Sequence, residues 1–142
     1  MKRVHVAVGV VINAQGLILV SKRPDHVHQG GLWEFPGGKV EADENVQQAL
    51  TRELSEELAI AVINSAPLIA IEHDYSDKSV LLDVWWIDSF DGEPHGREGQ
   101  LWQWVAVDKL RDLEFPAANK PIIAAIEKKL NPRQSPLIRG DA

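Results

Sequence analysis

The chain has 142 residues, 44% of them hydrophobic, and its 21 acidic and 15 basic side chains give a formal net charge of -6. This length suits one compact domain, which we expect over residues 1–131, with residues 132–142 as a flexible tail. The absence of cysteine excludes disulfides and zinc-thiolate sites, so any metal would be bound by oxygen or imidazole. The acidic balance argues against direct binding of nucleic acid, which needs a basic surface. No apolar run is long enough to span a membrane, so we expect a cytoplasmic protein. No obvious apolar surface stripe is left over, so we expect a monomer.

The N-terminal third predicts two strands. The segments VHVAVGVVI (4–12) and LILVSKR (17–23) are rich in β-branched residues, and the turn 13–16 between them predicts a hairpin. Residues 24–33 have the composition of a loop.

Three further strands are predicted in the second half of the chain, over 67–75, 79–90 and 101–107. Because side chains alternate along a strand, Trp85 and Trp86 are expected on opposite faces of the sheet. The polar, glycine-rich composition of residues 91–100 predicts a loop between strands.

Two helices complete the predicted fold. One follows Asp43-Glu44-Asn45 in the middle of the chain, and the other covers 121–130 with Asn119 as its N-cap. The strands come mostly as hairpins and do not alternate regularly with helices, which predicts an α/β fold with a mixed sheet covered by helices.

The mid-chain helix carries Glu53, Glu56 and Glu57 within an arc of about 100°, next to the apolar stripe of the same helix. Most charge runs on helices are solvated faces. Here, however, like charges three and four residues apart repel, no lysine follows four residues on, and the last turns of a helix disfavour negative charge. Such an arrangement is favourable if a divalent cation lies among the acids, and Mg²⁺ or Mn²⁺ suits carboxylate ligands.

Residues on both sides of these acids complete a pattern. Gly38, Glu44, Arg52-Glu53-Leu54, Glu56-Glu57 and Ala59-Ile60 resemble the Nudix box, a motif of hydrolases that act on nucleoside diphosphates linked to another group. One position departs from the family, which has glycine where this chain has Ala59. Because glycine after a helix adopts the left-handed conformation without strain, alanine there is expected to cost about 1 kcal/mol.

The resemblance extends to about residue 130 and implies the Nudix fold, a mixed β-sheet between α-helices. It is strongest to the MutT branch of the family, which hydrolyses 8-oxo-dGTP to 8-oxo-dGMP and pyrophosphate. The matching segments are AVGVV, Lys22-Arg23, LWEFPGGK (32–39), GEPHGREGQ (92–100) and FPAANKPI (115–122).

The resemblance also implies roles for individual residues. The expected metal ligands are the Gly37 carbonyl, Glu53, Glu56, Glu57 and Glu98. The expected substrate-binding residues are Arg23, His28, Glu34, Phe35, Pro36, Gly37, Lys39, Tyr75, Lys78 and Asn119. By the same resemblance, a carboxylate deprotonates water for attack at the β-phosphorus; Glu53 is the preferred general base, Glu98 is the alternative, and Arg52 orients the glutamates.

The chemistry of Asn119 suggests how the base is read. Guanine presents two acceptors, O6 and N7, on one edge; oxidation at C8 places a hydrogen on N7, and an amide matches the resulting acceptor and donor. The alternative is that Asn119 only caps the last helix.

Two other functions also fit the sequence. A Nudix hydrolase of another nucleotide and a non-catalytic nucleotide sensor both fit the box, which carries only phosphate chemistry. The remaining histidines are assigned no role: His5, His26, His73 and His95.

Overall fold

The structure is a computed structural model that describes residues 2–23, 30–97 and 99–130. His28, Glu98 and the predicted tail 132–142 lie outside the described residues. No helix in the described ranges is long and apolar enough to cross a membrane.

In the described part of the chain, seven strands and two α-helices form the fold. The strands are β1 (Lys2–Val11), β2 (Leu17–Lys22), β3 (Trp33–Glu34), β4 (Gly37–Lys39), β5 (Ala61–Asp74), β6 (Lys78–Asp91) and β7 (Trp102–Ala106). The helices are α1 (Val46–Leu58) and α2 (Lys120–Leu130), and short 3-10 helices cover Val107–Asp112 and Ala117–Asn119.

The strands form two sheets, where the sequence predicted one. The first is mixed, in the order β4-β1-β6-β5, with β1 and β6 parallel and the other pairs antiparallel. The second is antiparallel, in the order β3-β2-β7. The predicted hairpin of β1 and β2 is therefore wrong beyond its turn, where a single bridge joins Ile12 to Ile18. The two strands separate because β1 pairs with β6 over ten residues.

Helices cover the sheets on both sides, as the resemblance implied. On β1, Val8 and Val10 belong to the core on the side of α2, whereas Ala7 and Val11 belong to the core on the side of α1. The same alternation separates Trp86, in the α2-side core, from Trp85, which packs on the α1 side. The predicted opposition of these two tryptophans is confirmed.

Helix α1 begins where its capping residue predicts. The Asn45 side chain accepts a hydrogen bond from the Gln48 backbone N–H at 2.8 Å, and the Gln48 side chain accepts one from the Asn45 N–H at 2.8 Å, which forms a capping box. Leu50, Leu54 and Leu58 are fully buried. They anchor the helix on the sheet, so its acidic residues lie along the border of the buried stripe.

Helix α2 begins at Lys120, directly after the 3-10 turn Ala117–Asn119, and buries Ile122, Ile123 and Ile126. The Asn119 side chain makes no capping hydrogen bond to any residue in the described ranges. The expected N-cap is therefore not formed. Asn119, whose N–H donates to the Pro116 carbonyl at 2.9 Å, is already in a helical turn that runs directly into α2, whereas an N-cap residue has a non-helical backbone.

The end of α1 explains the unusual Ala59. This residue has φ 61° and ψ 29°, the left-handed conformation, and its N–H donates to the Ser55 carbonyl at 3.1 Å. Alanine is therefore strained at this position, as the sequence predicted.

We expect Ala59→Gly to raise the free energy of unfolding by about 0.5–1 kcal/mol, because the relief of left-handed strain exceeds the added entropy of the unfolded chain. Urea unfolding measures this change. The control is Ala124→Gly, at an exposed position within α2, which should lower stability by about 1 kcal/mol. A loss of stability in Ala59→Gly would contradict the strain argument.

Candidate active site

A cleft of about 310 Å³ opens on the α2 side of the four-stranded sheet. Its floor consists of apolar side chains from the two central strands: Val4, Val6 and Val8 of β1, and Val80 and Leu82 of β6. Phe35 forms part of the wall and stacks on Phe115 with ring centroids 5.0 Å apart. An apolar floor with an aromatic wall suits a flat organic ligand.

The cleft brings together most of the predicted substrate-binding residues. Those that line it are Arg23, Glu34, Phe35, Gly37, Lys39, Tyr75, Lys78 and Asn119. Pro36 is buried beside the cleft without lining it, and its carbonyl accepts a hydrogen bond from the Gly9 N–H at 2.8 Å. His28 lies outside the described residues.

The two glycines of β4 permit close approach of backbone and side chains. Gly37 has φ 156°, and a Cβ at this position would overlap the Ala7 backbone carbonyl. A Cβ at Gly38 would overlap the carboxylate of Glu53, which reaches the strand from α1. Only glycine leaves room at Gly38 for this carboxylate beside the β4 backbone.

Arg52 is the centre of the acidic cluster on α1. Its guanidinium donates to Glu44 Oε1 at 2.6 Å, to Glu53 Oε1 at 2.7 Å and to Glu56 Oε1 at 3.3 Å. It also donates to the Lys39 carbonyl at 3.1 Å, which connects α1 to β4. The hydrogen bond to Glu44, and after it in size the hydrogen bond to Glu53, raises the pKa of Arg52 above its ordinary value.

These contacts correct one step of the charge argument. The sequence has no lysine four residues after these acids, but Arg52, which we expected to orient the glutamates, pairs with both Glu53 and Glu56. The physical reason is that Arg52 lies beside Glu53 in sequence and one turn before Glu56, so one planar guanidinium reaches both. The repulsion between glutamates therefore does not by itself require a metal ion.

The donors nevertheless suit a hard divalent cation. Glu53 places a carboxylate against Gly38, next to the Gly37 backbone, and Glu56 has a side chain 57% exposed, open to an added ligand. Oxygen donors of this kind match Mg²⁺. Within residues 2–23, 30–97 and 99–130, however, no three Asp, Glu, His or Cys side chains converge as a metal-binding group. Glu98 lies outside these ranges.

The loop after β6 is attached to the C-terminal end of α1. His95 and Arg97 donate backbone N–H groups to the carbonyls of Leu58 and Glu57, each at 3.0 Å, and the Gln100 side chain donates to the Glu57 carbonyl at 3.3 Å. The Arg97 guanidinium donates to the Ser55 carbonyl at 3.2 Å. These bonds satisfy helix carbonyls that otherwise lack partners and place positive charge at the negative end of the helix dipole.

Arg23 and Glu34 form an ion pair within the cleft, with 2.8 Å between Nη1 and Oε1. Burial raises the pKa of the Glu34 carboxyl above its ordinary value, and the hydrogen bond from Arg23 opposes that shift. The pair holds a cationic side chain in the cleft, where it could meet an anionic ligand.

One cleft residue was missed by sequence reasoning. His73, to which we assigned no role, lines the cleft together with Tyr75, and the two rings meet edge to face with centroids 4.7 Å apart. The predicted strand 67–75 contained the signal that could have found it. His73 lies two residues before Tyr75, and residues two apart in a strand point to the same face.

We expect the contribution of Glu44 to stability to depend on pH. Its pKa is lowered from 4.5, chiefly by the hydrogen bond from Arg52. The ionised form is therefore favoured in the folded chain, and its contribution is complete above pH 4.5 and lost as the pH falls toward the lower folded pKa. The difference in unfolding free energy between the parent and Glu44→Gln should accordingly shrink between pH 7 and pH 3 in urea titrations.

The control for this titration is Glu93→Gln, which removes an exposed acid away from Arg52. A Glu44→Gln difference that stays constant across the same pH range would contradict the ion-pair assignment.

Comparison with known proteins agrees with this geometry. The family model for the NUDIX domain matches residues 7–125. An 8-oxo-dGTP diphosphatase of Escherichia coli is 35% identical over 128 residues, covering 90% of this chain and 99% of the relative, and a CTP pyrophosphohydrolase of the same organism is 35% identical, covering 88% and 92%. A solved structure from a study of MutT from Aliivibrio salmonicida and Vibrio cholerae superposes with a TM-score of 0.79 at 42% identity, covering 90% of this chain and 99% of that one. The chain belongs to the Nudix family.

Proposed function

We propose that this protein is an 8-oxo-dGTP diphosphatase, which hydrolyses 8-oxo-dGTP to 8-oxo-dGMP and pyrophosphate by attack of water at the β-phosphorus. Such a reaction removes an oxidised precursor before a polymerase can incorporate it and so prevents mutation. We place it in the cytoplasm, acting as a monomer on a free nucleotide. Four relatives named 8-oxo-dGTP diphosphatase, 35–37% identical in three cases and 32% in the fourth, support this substrate.

The observation that carries the proposal is the position of Asn119. Its side chain lines the cleft and has no hydrogen-bond partner among the residues the structure describes. An amide offers a donor and an acceptor side by side. It can therefore pair with O6 and the protonated N7 of 8-oxoguanine, whereas N7 of undamaged guanine is an acceptor and would face the amide oxygen. A mispairing of this kind in a cleft discriminates strongly.

The phosphate end of the substrate is assigned to the opposite side of the cleft, near β4. There the Gly37 carbonyl, Glu53, Glu56, Glu57 and Glu98 are the proposed donors to Mg²⁺, with Mn²⁺ as a substitute. A divalent cation bound there would offset the phosphate charge and make water more acidic. Lys39 and Arg23 also line the cleft and add positive charge to it.

Glu53 is the proposed general base. It is the carboxylate that lies against Gly38, and its side chain is only 18% exposed. Arg52 is a positioning residue, since its bond at 2.7 Å holds one oxygen of Glu53 and leaves the other available. Glu98 is the alternative base, and the bonds of Arg97 and Gln100 to α1 support a place for this loop near the acidic helix.

A second candidate substrate is an undamaged pyrimidine nucleotide. The relative named CTP pyrophosphohydrolase is as similar to this chain as the E. coli 8-oxo-dGTP diphosphatase, at 35% identity each. Cytosine presents an amino donor where 8-oxoguanine presents O6, so one panel of nucleotides separates the two. A non-catalytic sensor is less favoured because Glu53, Glu56 and Glu57 are all present.

We expect Asn119→Ala to reduce the ratio of kcat/KM for 8-oxo-dGTP over dGTP at least about tenfold, because the donor and acceptor that read the oxidised edge are removed. Pyrophosphate release measures both reactions, with CTP included in the panel. The control is Lys120→Ala, the adjacent exposed position, which should keep the parent ratio. An unchanged ratio in Asn119→Ala contradicts the base assignment, and a parent that binds nucleotide without releasing pyrophosphate favours the sensor.

We expect Gly38→Ala to lower kcat/KM by about 100-fold while the chain still folds, since the added methyl displaces the Glu53 carboxylate. Circular dichroism and thermal unfolding check the fold, and pyrophosphate release measures activity. In a Glu53→Ala background, the same substitution should cause no further loss of activity and little loss of stability, because nothing remains to be displaced. An active Gly38→Ala variant would contradict the role assigned to Glu53.

A further inference from the structure

His73 lines the cleft from β5, the edge strand opposite β4. It lies on β5 opposite Val80 of β6, and Val80 in turn lies opposite Val4 of β1. Residues directly opposite in a sheet share a face, and Val80 and Val4 form part of the cleft floor. The imidazole is therefore on the face of the sheet that forms the cleft floor.

The His73 imidazole is held in place but has unused polar atoms. Its ring meets the Tyr75 ring edge to face, with centroids 4.7 Å apart. Lys78 lies over the Tyr75 ring, with Nζ 5.9 Å from its centroid. Among residues 2–23, 30–97 and 99–130, neither ring nitrogen of His73 has a hydrogen-bond partner. The surrounding floor is apolar, so a polar group of a ligand is the partner that this cleft can supply.

The sheet order determines which part of a nucleotide could reach His73. Strand β5 and strand β4 lie at opposite edges of the four-stranded sheet, with β1 and β6 between them. Three inter-strand steps separate strand β5 from strand β4 by about 14 Å across the sheet. His73 is level with Val4 of β1, whereas Gly38 is level with Ala7, so His73 lies farther than this from the β4 glycines. The phosphates are assigned to the β4 side, so His73 faces the nucleoside.

We propose that His73 is a specificity-determining residue that hydrogen-bonds the nucleoside moiety of the bound nucleotide through an imidazole nitrogen. This inference rests on the proposed function only in requiring that the cleft bind a nucleotide. It does not require that the base be oxidised.

Binding of products tests this assignment without turnover. Calorimetry would measure the Kd of dGMP, 8-oxo-dGMP and pyrophosphate for the parent, His73→Ala, His73→Gln and His73→Phe. We expect His73→Ala and His73→Phe to weaken binding of both nucleoside monophosphates about 3- to 10-fold, the size of one neutral hydrogen bond. His73→Gln should bind within about twofold of the parent, and pyrophosphate should bind all four proteins equally.

The matched control is Asp74→Asn, at the next residue on β5, which is exposed and points to the other face. It should bind all three ligands as the parent does. Restoration by phenylalanine but not by glutamine would overturn the hydrogen bond, as would a His73→Ala variant with the parent's affinities or an equal loss for pyrophosphate and nucleotides.

The same data separate this inference from the substrate assignment. A parent that binds dGMP and 8-oxo-dGMP equally well argues against selection of the oxidised base, while the effect of His73→Ala on dGMP still decides the role of His73. A parent that binds neither monophosphate contradicts both.

Discussion

Strand β1 is the element on which both the core and the candidate site depend. It pairs with β4 on one side and with β6 on the other, and its alternating side chains contribute to both cores. Val8 and Val10 face α2, while Ala7 and Gly9 face α1. A Cβ on Gly9 would lie 3.1–3.2 Å from Ile87, Leu50 and Leu54, so the helix approaches the sheet closely at this point. This close packing brings the acidic edge of α1 to the glycines of β4.

A network of polar contacts then orients the end of α1. Arg52 joins three glutamates to the Lys39 carbonyl, and the loop after β6 donates to the last carbonyls of the helix. The bonds from the loop pair helix carbonyls that would otherwise lack partners. The bonds from Arg52 offset the repulsion between neighbouring glutamates. The acidic cluster is consequently held in position by the chain's own cation. Because Arg52 offsets the repulsion between the glutamates, the stability of the cluster does not by itself require a metal ion.

The cleft has two chemically different ends. Near β4 it has the backbone of Gly37 and Gly38, which the Glu53 carboxylate approaches from α1, and near β5 it has the rings of His73 and Tyr75. Asn119 reaches it from the turn before α2. A nucleotide has the same division between phosphates and base, which is the basis for the proposed placement of its two parts in the cleft.

The sequence by itself determined the family, the helix that carries the acids, the strain at Ala59 and eight of the residues that line the cleft. These features depend on local spacing or on a specific motif, and both are readable along the chain. Only the tertiary structure decided that β1 and β2 belong to different sheets, that Arg52 connects α1 to the Lys39 carbonyl of β4, and that His73 shares a face with the cleft floor. Each of these depends on which distant strands pair or on how side chains meet across elements, and neither is encoded in local periodicity.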